Sequence, residues 1–173
     1  PPPPPPPPPS RRILLVADSM LRPLERLAWP SPFDVRVHCF FGASFASVAK
    51  RCVAFSPIYD AVVVHAGVND ASGGASLEDA FRSSGSAACA ALRARFPGAR
   101  LALSLACLSA SQALNPAIAV VNRVLRDLSL ACDFTVISND NVRFTDLTDV
   151  HLNAAGTARV HGNILNFLRV DVA

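Results

Sequence analysis

Five short apolar runs rich in branched side chains constrain the fold of this chain more than any other feature of its sequence. They occupy residues 12–17, 34–41, 59–66, 99–107 and 133–139. Most are continuously apolar rather than alternating, which is typical of strands buried on both faces of a parallel sheet.

Between these runs, apolar side chains recur at helical spacing. The pattern predicts helices over Ser44–Phe55, Leu77–Phe96 and Pro116–Ala131, and a last helix from an Asn153 N-cap to about Leu168. We interpret the chain as strand followed by helix, five times over. This order predicts an α/β fold of three layers, with a doubly wound, flavodoxin-like, five-stranded parallel sheet. Ligands of such sheets bind outside the carboxyl ends of the strands.

The chain divides into a Pro-rich segment, residues 1–10, and a single domain, residues 11–173. Nine consecutive prolines favour a stiff polyproline II segment without a packed core, and we interpret it as a disordered linker rather than as a ligand for a proline-binding module. Because the chain begins with Pro rather than Met, we interpret it as a fragment. In the remainder, a hydrophobic share of 51% and a charged share of 17% predict a sizeable core.

The charge and the cysteines exclude several classes of protein. Fifteen Arg and one Lys leave a net charge of only +3, and no basic run exceeds two residues, which favours a solvated surface over a stripe that follows nucleic-acid phosphates. Five widely spaced cysteines without a CxxC pair argue against a disulfide framework and a zinc site, and favour free thiols in an intracellular, reducing compartment. No signal peptide is visible.

The uncharged stretch 101–121 contains Pro116 and several polar residues, so we expect a strand, a loop and a helix start there rather than a transmembrane segment.

Polar residues suited to acyl transfer follow the predicted strands. Ser19 follows the first strand, Gly42 the second and Asn69 the third. A serine that attacks a carbonyl needs a base within hydrogen-bond reach, and the resulting oxyanion needs donors. A glycine N–H and an asparagine amide can supply such donors.

The base is sought among four histidines. His38 and His65 fall in or at the end of predicted strands, and His161 falls within the last helix, so we interpret all three as packing residues. His151 alone lies in a predicted loop after the carboxyl end of the fifth strand, within FTDLTDVHLN at 144–153.

Four sequence blocks carry a resemblance to a known family. VADSMLR, FFGAS, HAGVND and DVHLN resemble, in order and spacing, the four blocks of the SGNH (GDSL-type) hydrolases, over essentially all of residues 11–170. The Gly67–Asn69–Asp70 motif is complete, whereas Ala17 replaces the glycine of Gly-Asp-Ser. A looser resemblance is to the esterase domain of LINE retrotransposon first open reading frame proteins, which often follows disordered or RNA-binding segments.

The resemblance implies a serine esterase that cleaves a small or exposed acyl ester through an acyl-enzyme. Ser19 would be the nucleophile and His151 the general base, while the N–H groups of Ser19 and Gly42 and the amide of Asn69 would hold the oxyanion. Neither a cofactor nor a metal is implied. An RNA or protein partner would bind through the flanking regions.

The family places its third catalytic member, an aspartate, three residues before the histidine, where this chain has Thr148. Asp149 is our preferred substitute, because residues two apart in an extended loop point the same way. Asp146 is the alternate acid, and a Ser–His dyad is the third possibility.

Three other interpretations stay open. GASFA at 42–46 approaches the G-x-S-x-G nucleophile elbow and would make Ser44 the nucleophile, although an N-cap role suits Ser44 better. A catalytically weak or inactive SGNH-like domain could bind RNA or protein instead. A flavodoxin-like nucleotide or phosphate binder is disfavoured, because no Gly-rich loop follows the first strand and Asp18 would repel phosphate.

Overall fold

A computed structural model describes residues 9–148 and 151–172. Its five main strands pair in parallel in the order β2-β1-β3-β4-β5. The strands are β1 (Arg11–Asp18), β2 (Phe33–Phe40), β3 (Ala61–His65), β4 (Arg100–Ser104) and β5 (Thr135–Ile137). The predicted α/β fold with a five-stranded parallel sheet is confirmed. Most of the Pro-rich segment lies outside the described residues.

Within residues 9–148 and 151–172, four α-helices cover the two faces of the sheet. They are α1 (Phe45–Cys52), α2 (Leu77–Arg95), α3 (Asn115–Cys132) and α4 (Ala154–Phe167), the last continuing as a π-helical turn over Leu168–Val172. Side chains of α1, α2 and α3 form one core with alternate residues of the strands, among them Leu14 and Val16. Side chains of α4 form the second core with the residues in between, among them Ile13 and Leu15. The uncharged stretch 101–121 divides into strand, loop and helix start as predicted, and none of the described helices is long and apolar enough to cross a membrane.

The prediction of strand followed by helix, five times over, is wrong for the connection after β1. This connection is a 3₁₀-helix, Ser19–Arg26, with Pro23 inside it. Proline has no N–H to donate and its ring crowds the preceding turn, so a regular α-helix is disfavoured here. Leu21 and Leu24 of this short helix are fully buried in the same core as α4.

Two helix starts confirm the capping predictions. Ser44 Oγ accepts a hydrogen bond of 3.3 Å from the Ser47 N–H at the start of α1. Asn153 Oδ1 accepts one of 3.1 Å from the Gly156 N–H at the start of α4. Both caps satisfy an amide that the helix itself leaves without a partner.

A buried polar network joins the sheet to α4. His65 is 1% exposed, and its Nδ1 lies 2.9 Å from Ser104 Oγ. Asn139 Nδ2 donates to the same hydroxyl over 3.0 Å, and Asn163 of α4 donates to Asn139 Oδ1 over 2.9 Å. Burial lowers the pKa of His65 to about 4, so the imidazole is neutral at physiological pH.

The five cysteines are free thiols. Three of them are buried: Cys52, Cys89 and Cys107. Burial raises the pKa of each of these three to about 12, so they are inert apolar side chains at neutral pH.

Candidate active site

The pairing of the strands brings three polar loops to one edge of the sheet. Asp18 at the end of β1 pairs with Phe40 at the end of β2, and Ala17 pairs with His65 at the end of β3. The segments that follow these strands therefore leave the sheet side by side, with neighbouring strands about 4.8 Å apart. They carry Ser19, Gly42 and Asn69.

Ser19 is the first residue of the 3₁₀-helix and is half-buried. Asp18 caps this helix, its Oδ1 accepting a 3.0 Å hydrogen bond from the Met20 N–H. Strand end, cap and helix start together fix the backbone on both sides of the hydroxyl.

The loops of Gly42 and Asn69 are tied to each other. Asn69 Nδ2 donates a 3.0 Å hydrogen bond to the Ala43 carbonyl, and Asp70 Oδ2 accepts one of 2.8 Å from the Phe45 N–H. Gly42 has a φ of +62°, a conformation that favours glycine, and its position is exposed. These two hydrogen bonds hold the Gly42 and Asn69 loops next to each other.

His151 lies on a short hairpin. Residues Leu147–Thr148 form β6 and His151–Leu152 form β7, and the two pair antiparallel with Thr148 opposite His151. The imidazole is exposed.

The hairpin is anchored to the start of α4. Asn153 N–H donates to the Asp146 carbonyl over 2.9 Å, and Asn153 Nδ2 donates to the Thr145 carbonyl over 2.7 Å. A Cβ at Gly156 would collide with the Asp146 carbonyl, so glycine permits this close approach. The position of His151 is therefore tied to α4.

Ser19 and His151 line a single cavity of about 400 Å³, together with Arg22, Pro23 and Arg26. The structure thus brings the predicted nucleophile and base to the same cavity. The two arginines were missed by the sequence analysis, although their positions three and seven residues after Ser19, in the segment that follows β1, were a usable signal.

The two candidate acids have different surroundings. Asp149 lies outside the described residues. Asp146 is 4% exposed; its Oδ2 accepts a 2.8 Å hydrogen bond from the Arg143 N–H and lies 2.8 Å from Arg159 Nε, an ion pair without hydrogen-bond alignment. The Asp146 carboxylate is thus engaged by two partners other than His151.

The remaining histidines and the alternative nucleophile have packing or capping contacts. The ring of His38 lies 4.5 Å from that of Phe55, and the ring of His161 lies 4.4 Å from that of Trp29. Ser44 caps α1 as described above.

Asp18 is a buried carboxyl beside the tied loops. It is 1% exposed, and its Oδ2 has no hydrogen-bond partner in the described part of the chain. Burial raises its pKa to about 7 although the Met20 N–H stabilises the anion, and nearby Asp70 adds to the rise. A carboxyl that is partly protonated at neutral pH places less negative charge beside the oxyanion donors.

Asp18 and His65 are expected to oppose each other in the pH dependence of stability. From about pH 4 to about pH 7 the folded chain keeps a proton on Asp18 that the unfolded chain releases, so this residue lowers the free energy of unfolding as pH rises. From about pH 4 to pH 6.5 the unfolded chain protonates His65 while the folded chain does not. His65 therefore raises the free energy of unfolding as pH rises. Urea titrations measure the free energy of unfolding at each pH. Between about pH 4.5 and about pH 6.5, the free energy of unfolding of Asp18→Asn should rise by on the order of 2 kcal/mol relative to wild type. That of His65→Gln should fall by on the order of 2 kcal/mol relative to wild type.

Exposed Asp34→Asn is the matched control for the first variant, and its difference from wild type should not change over this interval. Parallel pH profiles for wild type, Asp18→Asn and His65→Gln would contradict the opposed titration.

The comparisons with known proteins concern the family and the fold of the chain. Residues 25–159 match the GDSL-like lipase/acylhydrolase family; this range includes Gly42, Asn69 and His151 and begins after Ser19. No curated protein is significantly similar in sequence.

Solved structures share the fold at low sequence identity. A lipase/acylhydrolase from Enterococcus faecalis superposes with a TM-score of 0.72 at 17% identity, covering 92% of this chain and 96% of that one. A member of the lipolytic protein G-D-S-L family from Veillonella parvula DSM 2008 has a TM-score of 0.75 at 14% identity, covering 93% and 100%. The acetyl xylan esterase AlAXEase has a TM-score of 0.71 at 16% identity, covering 90% and 98%. Because the family model matches residues 25–159, more than half of the chain, the chain belongs to the GDSL-like lipase/acylhydrolase family.

Proposed function

We propose that this chain is a serine esterase that cleaves a small or exposed acyl ester through a covalent acyl-enzyme. The observation that carries the proposal is the shared cavity of Ser19 and His151, with the tied Gly42–Asn69 loops on the neighbouring strand ends. Family membership supports ester hydrolysis as the reaction class.

The proposed reaction begins with proton transfer from the Ser19 hydroxyl to His151, as Ser19 Oγ attacks the ester carbonyl carbon. The oxyanion of the tetrahedral intermediate is held by the N–H groups of Ser19 and Gly42 and by the Asn69 amide. His151 then gives its proton to the alkoxy oxygen as the bond between this oxygen and the acyl carbon breaks. The alcohol departs, and the acyl group stays on Ser19 as an ester. A water molecule activated by His151 attacks this ester and releases the acid and free Ser19.

In this proposal Asp149 orients His151, because it lies two residues before His151 in the sequence and side chains two apart in an extended segment point the same way. Asp146 stays the alternate acid, and its contacts with Arg143 and Arg159 make it the weaker candidate.

The experiment that tests the proposal is hydrolysis of p-nitrophenyl acetate by the purified chain. Saturable turnover that requires Ser19 supports it. No turnover by a folded chain contradicts it and favours a binding role for the domain.

Asn69→Ala is expected to lower kcat about 10²-fold to 10³-fold, because one oxyanion donor is lost. KM should change little, since the donor acts mainly on the charge that develops in the transition state. Steady-state kinetics with p-nitrophenyl acetate provide the measurement.

Asn166→Ala, at an exposed position of α4, is the matched control and should keep wild-type kinetics. A kcat for Asn69→Ala within about threefold of wild type would remove Asn69 from the oxyanion site.

A further inference from the structure

We propose that the esters cleaved at this site carry a negatively charged carboxylate or phosphate group, which Arg22 and Arg26 bind. This inference rests on the proposed esterase function and extends it to the class of substrate.

The two arginines belong to the same short element as the nucleophile. The 3₁₀-helix begins at Ser19 and ends at Arg26, and with about three residues per turn Arg22 lies one turn beyond Ser19. Both arginines line the cavity of Ser19 and His151. The helix is held in place by the buried side chains of Leu21 and Leu24, so the guanidinium groups start from a rigid backbone.

Arg22 and Arg26 form no ion pair with another described residue. Both side chains are exposed. Arginines elsewhere do pair with carboxylates, as Arg82 does with Glu78 and Asp127. Two free guanidinium groups beside a nucleophile attract an anion and can hold it through paired hydrogen bonds.

The acidic residue on this helix is turned away from the cavity. Glu25 Oε1 accepts a 3.1 Å hydrogen bond from the Cys39 N–H of β2, and Glu25 does not line the cavity. Of the charged residues of this helix, the two arginines line the cavity and Glu25 does not.

A second cavity, of about 460 Å³, is also lined by Pro23. Its lining is mainly apolar and includes Leu27, Ala28, Leu152 and Ala158. The uncharged part of a substrate suits this second cavity, which leaves the arginine side for the charged group.

The test uses three aryl acetates that differ only in the group opposite the ester: 4-acetoxybenzamide, which is neutral, 4-acetoxybenzoate, and 4-acetoxyphenyl phosphate. We expect wild type to prefer at least one of the two anions in kcat/KM, and the ratio of anionic to neutral kcat/KM to fall about tenfold in Arg22→Gln/Arg26→Gln. The preference should also shrink in about 1 M salt, which screens exposed charges. The two anions separate carboxylate from phosphate recognition.

Arg36→Gln/Arg169→Gln removes two exposed arginines outside the cavity and is the matched control, with an expected ratio equal to that of wild type. Turnover of the benzamide together with a ratio that the Arg22/Arg26 variant leaves unchanged would overturn the anion site and leave the esterase proposal intact.

Absence of turnover on all three esters would contradict the esterase proposal, and calorimetric binding to Ser19→Ala then decides the anion site. Tighter binding of an anion than of the benzamide, lost on adding the two arginine substitutions, would support it. Equal binding of all three compounds would overturn it.

Discussion

Replacing Ser19 by alanine is expected to reduce hydrolysis of p-nitrophenyl acetate to the uncatalysed background or close to it, a loss of at least about 10⁴-fold in kcat. The substitution removes the only atom in the proposed mechanism that can form the acyl-enzyme. Ser19 is half-buried and loses a single oxygen, so we expect the thermal midpoint of unfolding to stay near that of wild type. Stopped-flow or steady-state release of p-nitrophenolate measures the rate, and circular dichroism measures the midpoint.

Ser44→Ala is the matched control, because Ser44 is the alternative nucleophile and carries the same hydroxyl. It should keep esterase activity and lose about 1 kcal/mol of stability, since its Oγ caps α1. His151→Ala should be as inactive as Ser19→Ala, and the double variant should be no worse than either, because the two groups act as a unit. Full activity in Ser19→Ala, with activity lost in Ser44→Ala, would reverse the assignment of the nucleophile.

The second large effect is expected at the acid. Asp149→Asn should lower kcat by about 10⁴-fold if this carboxylate holds His151 in its reactive tautomer. Thr148→Asp in the same chain should restore much of the loss. Thr148 lies directly opposite His151 in the β6–β7 hairpin, and side chains so paired have Cβ atoms about 5 Å apart, within reach of a carboxylate. Steady-state kinetics of the single and double variants measure both effects.

Asp146→Asn separates the two candidate acids. Because Asp146 contacts Arg159 and the Arg143 N–H, its substitution should lower the thermal midpoint rather than act on kcat alone. A fall in kcat without a change in midpoint for Asp146→Asn, with Asp149→Asn fully active, would identify Asp146 as the acid. Wild-type kcat in both variants would indicate a Ser–His dyad.

The sequence was sufficient for the order of the five parallel strands and of the four α-helices, because their signals are local. The continuous apolar runs predicted all five strands. The observed β5, Thr135–Ile137, is shorter than the predicted run 133–139. Ser44 and Asn153 were predicted as caps since a capping bond joins residues three apart in the chain. The 3₁₀-helix after β1 was not predicted, although Pro23 in this segment disfavours a regular α-helix.

For the candidate site, the sequence indicated which residues carry the chemistry, and the tertiary structure decided which of them meet. Ser19 and His151 are far apart in sequence, and only the packing of α4 and its hairpin against the 3₁₀-helix places them on one cavity. The same packing adds Arg22 and Arg26 to that cavity. The pKa values of Asp18 and His65 depend on burial, which arises only when strands and helices from separate parts of the chain remove water from both groups.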